Sequence, residues 1–184
     1  TVLIEKYGGV IGGILGTIPT TIIPASIGMA SEGGNDALII SLAIVPAGML
    51  INAIFLSVWA LLPEKLPKTW SQNTSLIFTS LSSLMIWAGV GLLTIYTIDI
   101  AIENNLSPIQ ISVIGFLLVV TIGSLMCWNL KPAPKGKNKV SKMILTARGI
   151  VAATAIGIAV LISSLGMPLL AGLASVFPAI FLTS

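Results

Sequence analysis

Two stretches of this chain carry the residues best suited to hold a ligand, and neither contains a group that titrates near neutrality. Residues 12–24 read Gly-Gly-Ile-Leu-Gly-Thr-Ile-Pro-Thr-Thr-Ile-Ile-Pro. Pro19 and Pro24 each remove a backbone donor and free a carbonyl, and Thr17, Thr20 and Thr21 place hydroxyls beside them. Residues 171–182 read Ala-Gly-Leu-Ala-Ser-Val-Phe-Pro-Ala-Ile-Phe-Leu, which sets Ser175 three positions before Pro178. Asn52 adds an amide deep in a third apolar stretch. Freed carbonyls, hydroxyls and one amide are the chemistry of binding a small solute through hydrogen bonds. They are not the chemistry of bond cleavage.

The missing residue types sharpen that reading. The chain has no histidine and one cysteine, Cys127. A zinc or haem site lacks its usual ligands, and no disulfide can form within the chain. No Asp, Glu, Lys or Arg falls in the middle of any long apolar stretch. Proton relays and general acid–base catalysis in membranes depend on such groups. The expectation is therefore a protein without cofactor or metal, and not an enzyme.

Something must hold these residues in place, and composition says what surrounds it. The chain is 55% hydrophobic and 8% charged over 184 residues, with a mean hydropathy of +1.06. Soluble domains carry about 25% charged residues, and a chain so poor in charge cannot clothe its surface in water. The bilayer is its expected solvent. The net charge of +3 does not point to nucleic acid, because six of the nine basic residues fall between Lys131 and Arg148 rather than on one face.

A membrane-crossing helix needs about 20 mostly apolar residues. Candidates span residues 9–30, 37–62, 74–98, 108–130 and 144–165, and a sixth begins at Pro168. The expected fold class is an all-α, polytopic helical bundle of five to six transmembrane helices. The polar breaks lie at 31–36, 63–73, 99–107 and 131–142. Breaks two and four are basic, with Lys65 and Lys68 in one and Lys131, Lys135, Lys137, Lys139 and Lys142 in the other. Breaks one and three hold only Glu32, Asp36, Asp99 and Glu103. The positive-inside tendency then puts loops 63–73 and 131–143 on the cytoplasmic side of a cell membrane, a prokaryotic inner membrane by expectation. Arg148, about one turn inside its span, is expected to snorkel outwards.

The two proline-centred stretches align without a gap, small residues on small and Pro19 on Pro178. Given the sides assigned above, the first copy runs outward and the second inward, the arrangement of an inverted repeat. The chain then reads as a single transmembrane domain over 1–184, cut from a longer protein at both ends. Residues 1–130 form most of the first repeat and 144–184 the start of the second, with the basic cytoplasmic loop 131–143 between them.

Gly8, Gly12 and Gly16 stand four apart, so they share one helix face and admit a neighbouring backbone, as does Ala171 in the second copy. Two readings of the proline segments follow. One is a broken helix lining a central site, with Thr17, Pro19, Thr20, Thr21, Asn52, Ser175 and Pro178 as substrate-binding candidates. The other is a kinked helix packed tightly on its neighbours, its threonines bonded to their own backbone. Ser41, Gly48 and Asn52 share a face, and Asn52 serves there either as a ligand contact or as interhelical glue.

The glycine-rich start followed by a proline-centred apolar run, as in residues 171–178, resembles the small bacterial inner-membrane proteins of the GlpM type. The resemblance covers about 25 residues of each copy, and implies membrane residence and a longer, duplicated relative. The functional expectation is a transporter or permease for a small solute. The alternative is a non-transporting subunit or assembly factor that packs against partner helices. The expected partners are the lipid bilayer, a small solute, and a second copy or a partner membrane subunit.

Overall fold

The computed structural model describes residues 21–127 and 142–178, and every described element is helical. In chain order these are α1 (Ile22–Ala43), α2 (Val45–Lys65), α3 (Gln72–Glu103), α4 (Pro108–Cys127), α5 (Lys142–Ser164) and α6 (Pro168–Ser175). Among the described residues, four segments are long and apolar enough to cross a membrane: Val45–Lys65, Gln72–Glu103, Pro108–Leu125 and Thr146–Ser164. Gly8, Gly12, Gly16, Thr17, Pro19 and Thr20 lie outside the described residues, as does nearly all of the basic loop 131–143.

The ends of the helices follow local chemistry. Ser71 caps α3 by accepting from the Thr74 amide at 3.2 Å. Ser107 and Gln110 form a reciprocal capping box at the start of α4, at 3.3 and 2.9 Å. Helix α3 ends where Asn105 takes a φ of 66°, and the Leu106 amide reaches back to the Ala101 carbonyl at 3.0 Å. Helix α5 ends the same way. Gly166 takes a φ of 77°, the Met167 amide bonds the Ile162 carbonyl at 3.3 Å, and Pro168 opens α6.

The first polar break does not form a separate loop. Residues 31–36 sit inside α1, interrupted only at Gly34 with φ 78° and ψ 177°. One residue is enough to reverse the chain, and contacts with α6 show that it does. Thr21 bonds Ser175, while Ala25 and Met29 pack on Ala171. Further on, Ser41 meets Gly172 and Gly48 meets Val176. The arm before Gly34 therefore runs antiparallel to α6, and the arm after it runs parallel. Glycine occupies the positive φ without the steric penalty a Cβ would bring.

The expected second span, 37–62, is divided as well. Helix α1 gives way to α2 at Ile44, which keeps near-helical angles of −83° and −14°. Pro46 lacks the amide that would bond the Leu42 carbonyl, so the helix kinks there instead of running straight.

Helix α6 lies at the centre of the packing. Its Leu169 and Leu173, with Val176 just beyond, share a buried cluster with Ala43, Ile44, Ile51, Ile98 and Ile111. Helix α3 packs along α2, and α4 leans on α1 and α2, where Gly115 closes on Pro46. Much of α4 faces outward, with Ile109, Val113, Phe116 and Leu117 all exposed. Arg148 is buried, 8% exposed.

Candidate functional site

Helix α6 stops after eight residues, in the interior. Val176 leaves helical geometry at φ −101° and ψ 13°. The amides of Val176 and Phe177 fall back on the Leu173 and Ala174 carbonyls at 3.2 and 3.1 Å. Pro178, buried, has no amide to offer. The Ser175 and Val176 carbonyls lie at this helix end, where an unpaired backbone group away from water would be costly.

Both find side chains from distant parts of the sequence. The Thr21 hydroxyl donates to the Ser175 carbonyl at 3.0 Å. The Asn52 amide donates to the Val176 carbonyl at 2.7 Å. Asn52 is fixed in turn by the Trp87 indole, which donates to its Oδ1 at 2.8 Å. The Trp87 ring meets Phe177 edge to face, with centroids 5.2 Å apart and planes at 90°. The chain from α3 to the helix break is therefore continuous: Trp87, Asn52, Val176.

Close packing is what allows this meeting. A β-carbon at Gly172 would overlap the Ser41 carbonyl oxygen, so α6 touches α1 backbone to backbone. Gly48 admits the Val176 side chain, and Gly91 on α3 admits Leu173. Among the described residues, Ser41, Thr79 and Ser163 are buried with hydroxyls that have no hydrogen-bond partner. Ser41 is the one beside α6.

Of the residues singled out from the sequence, Thr21, Asn52, Ser175 and Pro178 come together at this break. Ser175 contributes its carbonyl, because its hydroxyl turns back to the Gly172 carbonyl at 2.7 Å. Ala171 is 0% exposed and packs against Ala25 and Met29. The face of Ser41, Gly48 and Asn52 is the one turned to α6.

Sequence reasoning missed Trp87, Gly91 and Gly172. A tryptophan within a long apolar stretch needs a partner for its N–H, and that requirement was the available signal for Trp87. Gly172 sits next to Ala171, one position from the residue singled out for packing.

The arrangement offers carbonyls, an amide and hydroxyls, with no acid or base among the bonded residues. Among the described residues, no three His, Cys, Asp or Glu side chains gather as metal ligands do. No protein-family model, curated protein or solved structure matches the chain.

Proposed function

We propose that this chain works in a membrane as a transporter or permease for a small solute, with its centre at the break after α6. The observation that carries the reading is a short helix that ends in the interior, where the carbonyls of Ser175 and Val176 accept from side chains of other elements. Secondary transporters bind their solutes at discontinuous helices of this kind, near the midplane. Irregular backbone is tolerated at that depth only where protein or a cavity meets it.

The inverted repeat belongs to the same proposal. Thr21 lies two residues after Pro19 in the first proline segment, Ser175 precedes Pro178 in the second, and the two are bonded. The loops at 63–73 and 131–143 are cytoplasmic in this reading, the membrane is a prokaryotic inner membrane, and the likeness to GlpM-type proteins is one of membrane residence.

A test need not know the solute. Ser175→Cys, in a Cys127→Ser background, places one thiol at the break. In a transporter that alternates its opening, a membrane-impermeant thiol reagent should label it from each face of the membrane, tested separately. Labelling from one face alone, or from neither, would contradict transport through this point.

The second reading, a non-transporting subunit, has its own observation. Gly149, Ala153 and Gly157 stand four apart on an exposed face of α5, and neither glycine has anything near its Cβ position. Such a face suits a partner helix. Purification of the chain with a stoichiometric second membrane protein would favour it.

A further inference from the structure

A cavity of about 370 Å³ lies between α5, α6 and α3. Ile150, Thr154 and Ile158 form one wall, Ala174 lies opposite, and Phe177 and Trp87 stand where it meets the helix break. Its volume is more than twice that of the roughly 150 Å³ apolar cavity that accepts a benzene molecule. It falls in the range of about 300–1,000 Å³ typical of ligand sites.

The lining dictates what can enter. Among the described residues, no charged residue borders the cavity. The polar side chains among these residues have their donors committed, the Thr154 hydroxyl to the Ile150 carbonyl at 2.9 Å and the Trp87 indole to Asn52 at 2.8 Å. A buried water needs two to four polar partners, and these side chains leave it only the acceptor side of one hydroxyl. An ion or sugar would lose its hydration and gain nothing in exchange. An empty space of this size is also unfavourable, because its walls forfeit dispersion contacts on one side.

The way in is apolar as well. Ile150 and Ile158 line the cavity and are themselves 62% and 48% exposed. They continue the outer face of α5, where Leu161 and Leu165 are exposed in turn. In a membrane that face meets hydrocarbon.

We propose that this cavity holds an acyl chain of a membrane phospholipid, whose inner end bears on Trp87 and Phe177. The inference rests on membrane residence and not on transport. Trp87 holds Asn52, and Asn52 holds the Val176 carbonyl. The lipid therefore packs against the same two rings that fix the helix break, and the composition of the bilayer acts on the site through them.

Fluorescence of Trp87 tests the proposal. Trp59→Phe, Trp70→Phe and Trp128→Phe together leave it as the sole tryptophan. The protein is reconstituted in phosphatidylcholine vesicles with a rising share of phosphatidylcholine brominated in mid-chain, a contact quencher. Trp87 should be quenched, and Ala174→Phe or Ala155→Phe, each filling the cavity, should cut the quenching several-fold. Equal quenching with and without the filling substitutions would overturn the proposal, since ordinary boundary lipid would then be the quencher. Absence of quenching in the unfilled protein would overturn it too, because another part of the protein would cover the cavity. Native mass spectrometry of otherwise unchanged protein gives a second measure. Ala174→Phe should lose one retained phospholipid, and an unchanged count would refute the site. Failure of the two-sided labelling at Ser175 bears on transport alone and leaves this outcome intact.

Discussion

Asn52 donates to the Val176 carbonyl and accepts from the Trp87 indole, so one amide spans the gap between a broken helix and the long helix α3. Both of its hydrogen-bonding ends are in use, which makes it the most exposed point of failure in the site. Asn52→Leu leaves a carbonyl and an indole N–H unpaired. A loss of about 1–3 kcal/mol is expected, read as a lower melting temperature in detergent. Trp87→Phe keeps the edge-on ring and removes only the N–H, so it should cost less. The double variant should lose less than the sum of the two, because the contact between them is already gone in either single variant.

Gly172 and Gly157 provide a matched pair. A methyl at Gly172 would collide with the Ser41 backbone, while Gly157 faces open space. Gly172→Ala should destabilise by about 1–3 kcal/mol through overpacking. Gly157→Ala should be neutral or gain up to about 1 kcal/mol from helix propensity. Thermal unfolding of the two variants side by side checks this, and equal tolerance would mean that α6 does not approach α1 so closely.

Thr21→Val retains shape and removes one hydroxyl. Because that hydroxyl donates to the Ser175 carbonyl, a loss near 0.6 and no more than about 1.7 kcal/mol is expected, the range of polar contacts between membrane helices. Once a solute is known, Thr20→Val with Thr21→Val should abolish its transport beyond what that loss of folded protein explains. Retained transport per folded molecule would remove these hydroxyls from the site.

Sidedness follows from charge. Cysteines at Asn35 and Asn104, in a Cys127→Ser background, should react with an impermeant reagent in intact cells. Cysteines at Thr69 and Gly136 should react only after permeabilisation. Labelling of Gly136→Cys from outside would reverse the orientation.

Hydropathy made the long helices legible. The expected spans 74–98 and 144–165 fall within a few residues of α3 and α5, and the start at Pro108 coincides with that of α4. Length and apolarity fix such segments without help from tertiary structure. Residues 31–36 read as a loop because they are polar and poor in helix formers, but the turn itself needs only Gly34, and the flanking helices extend through the rest. The kink at Ile44 was marked by Pro46, yet an apolar run on both sides hid the division. At the site, the face of Ser41, Gly48 and Asn52 was visible as a spacing. What it meets was not, since the register of α2 is set by packing against α3, 35 residues on at Trp87, and against the end of α6, 124 residues on at Val176. Trp87 could not be chosen as the partner of Asn52 before that register was known.

The reversal at Gly34 has a mechanical side. Ser175 and Val176 are neighbours in the chain, but one is tied to Thr21 before the reversal and the other to Asn52 beyond it. The two arms of this hairpin therefore grip adjacent peptide units of α6 from opposite directions. Sliding one arm against the other would load the peptide link between those two residues first. A tightening or loosening of the hairpin at its tip is thus felt at the end of α6, where two neighbouring carbonyls are held by side chains from the two sides of the reversal.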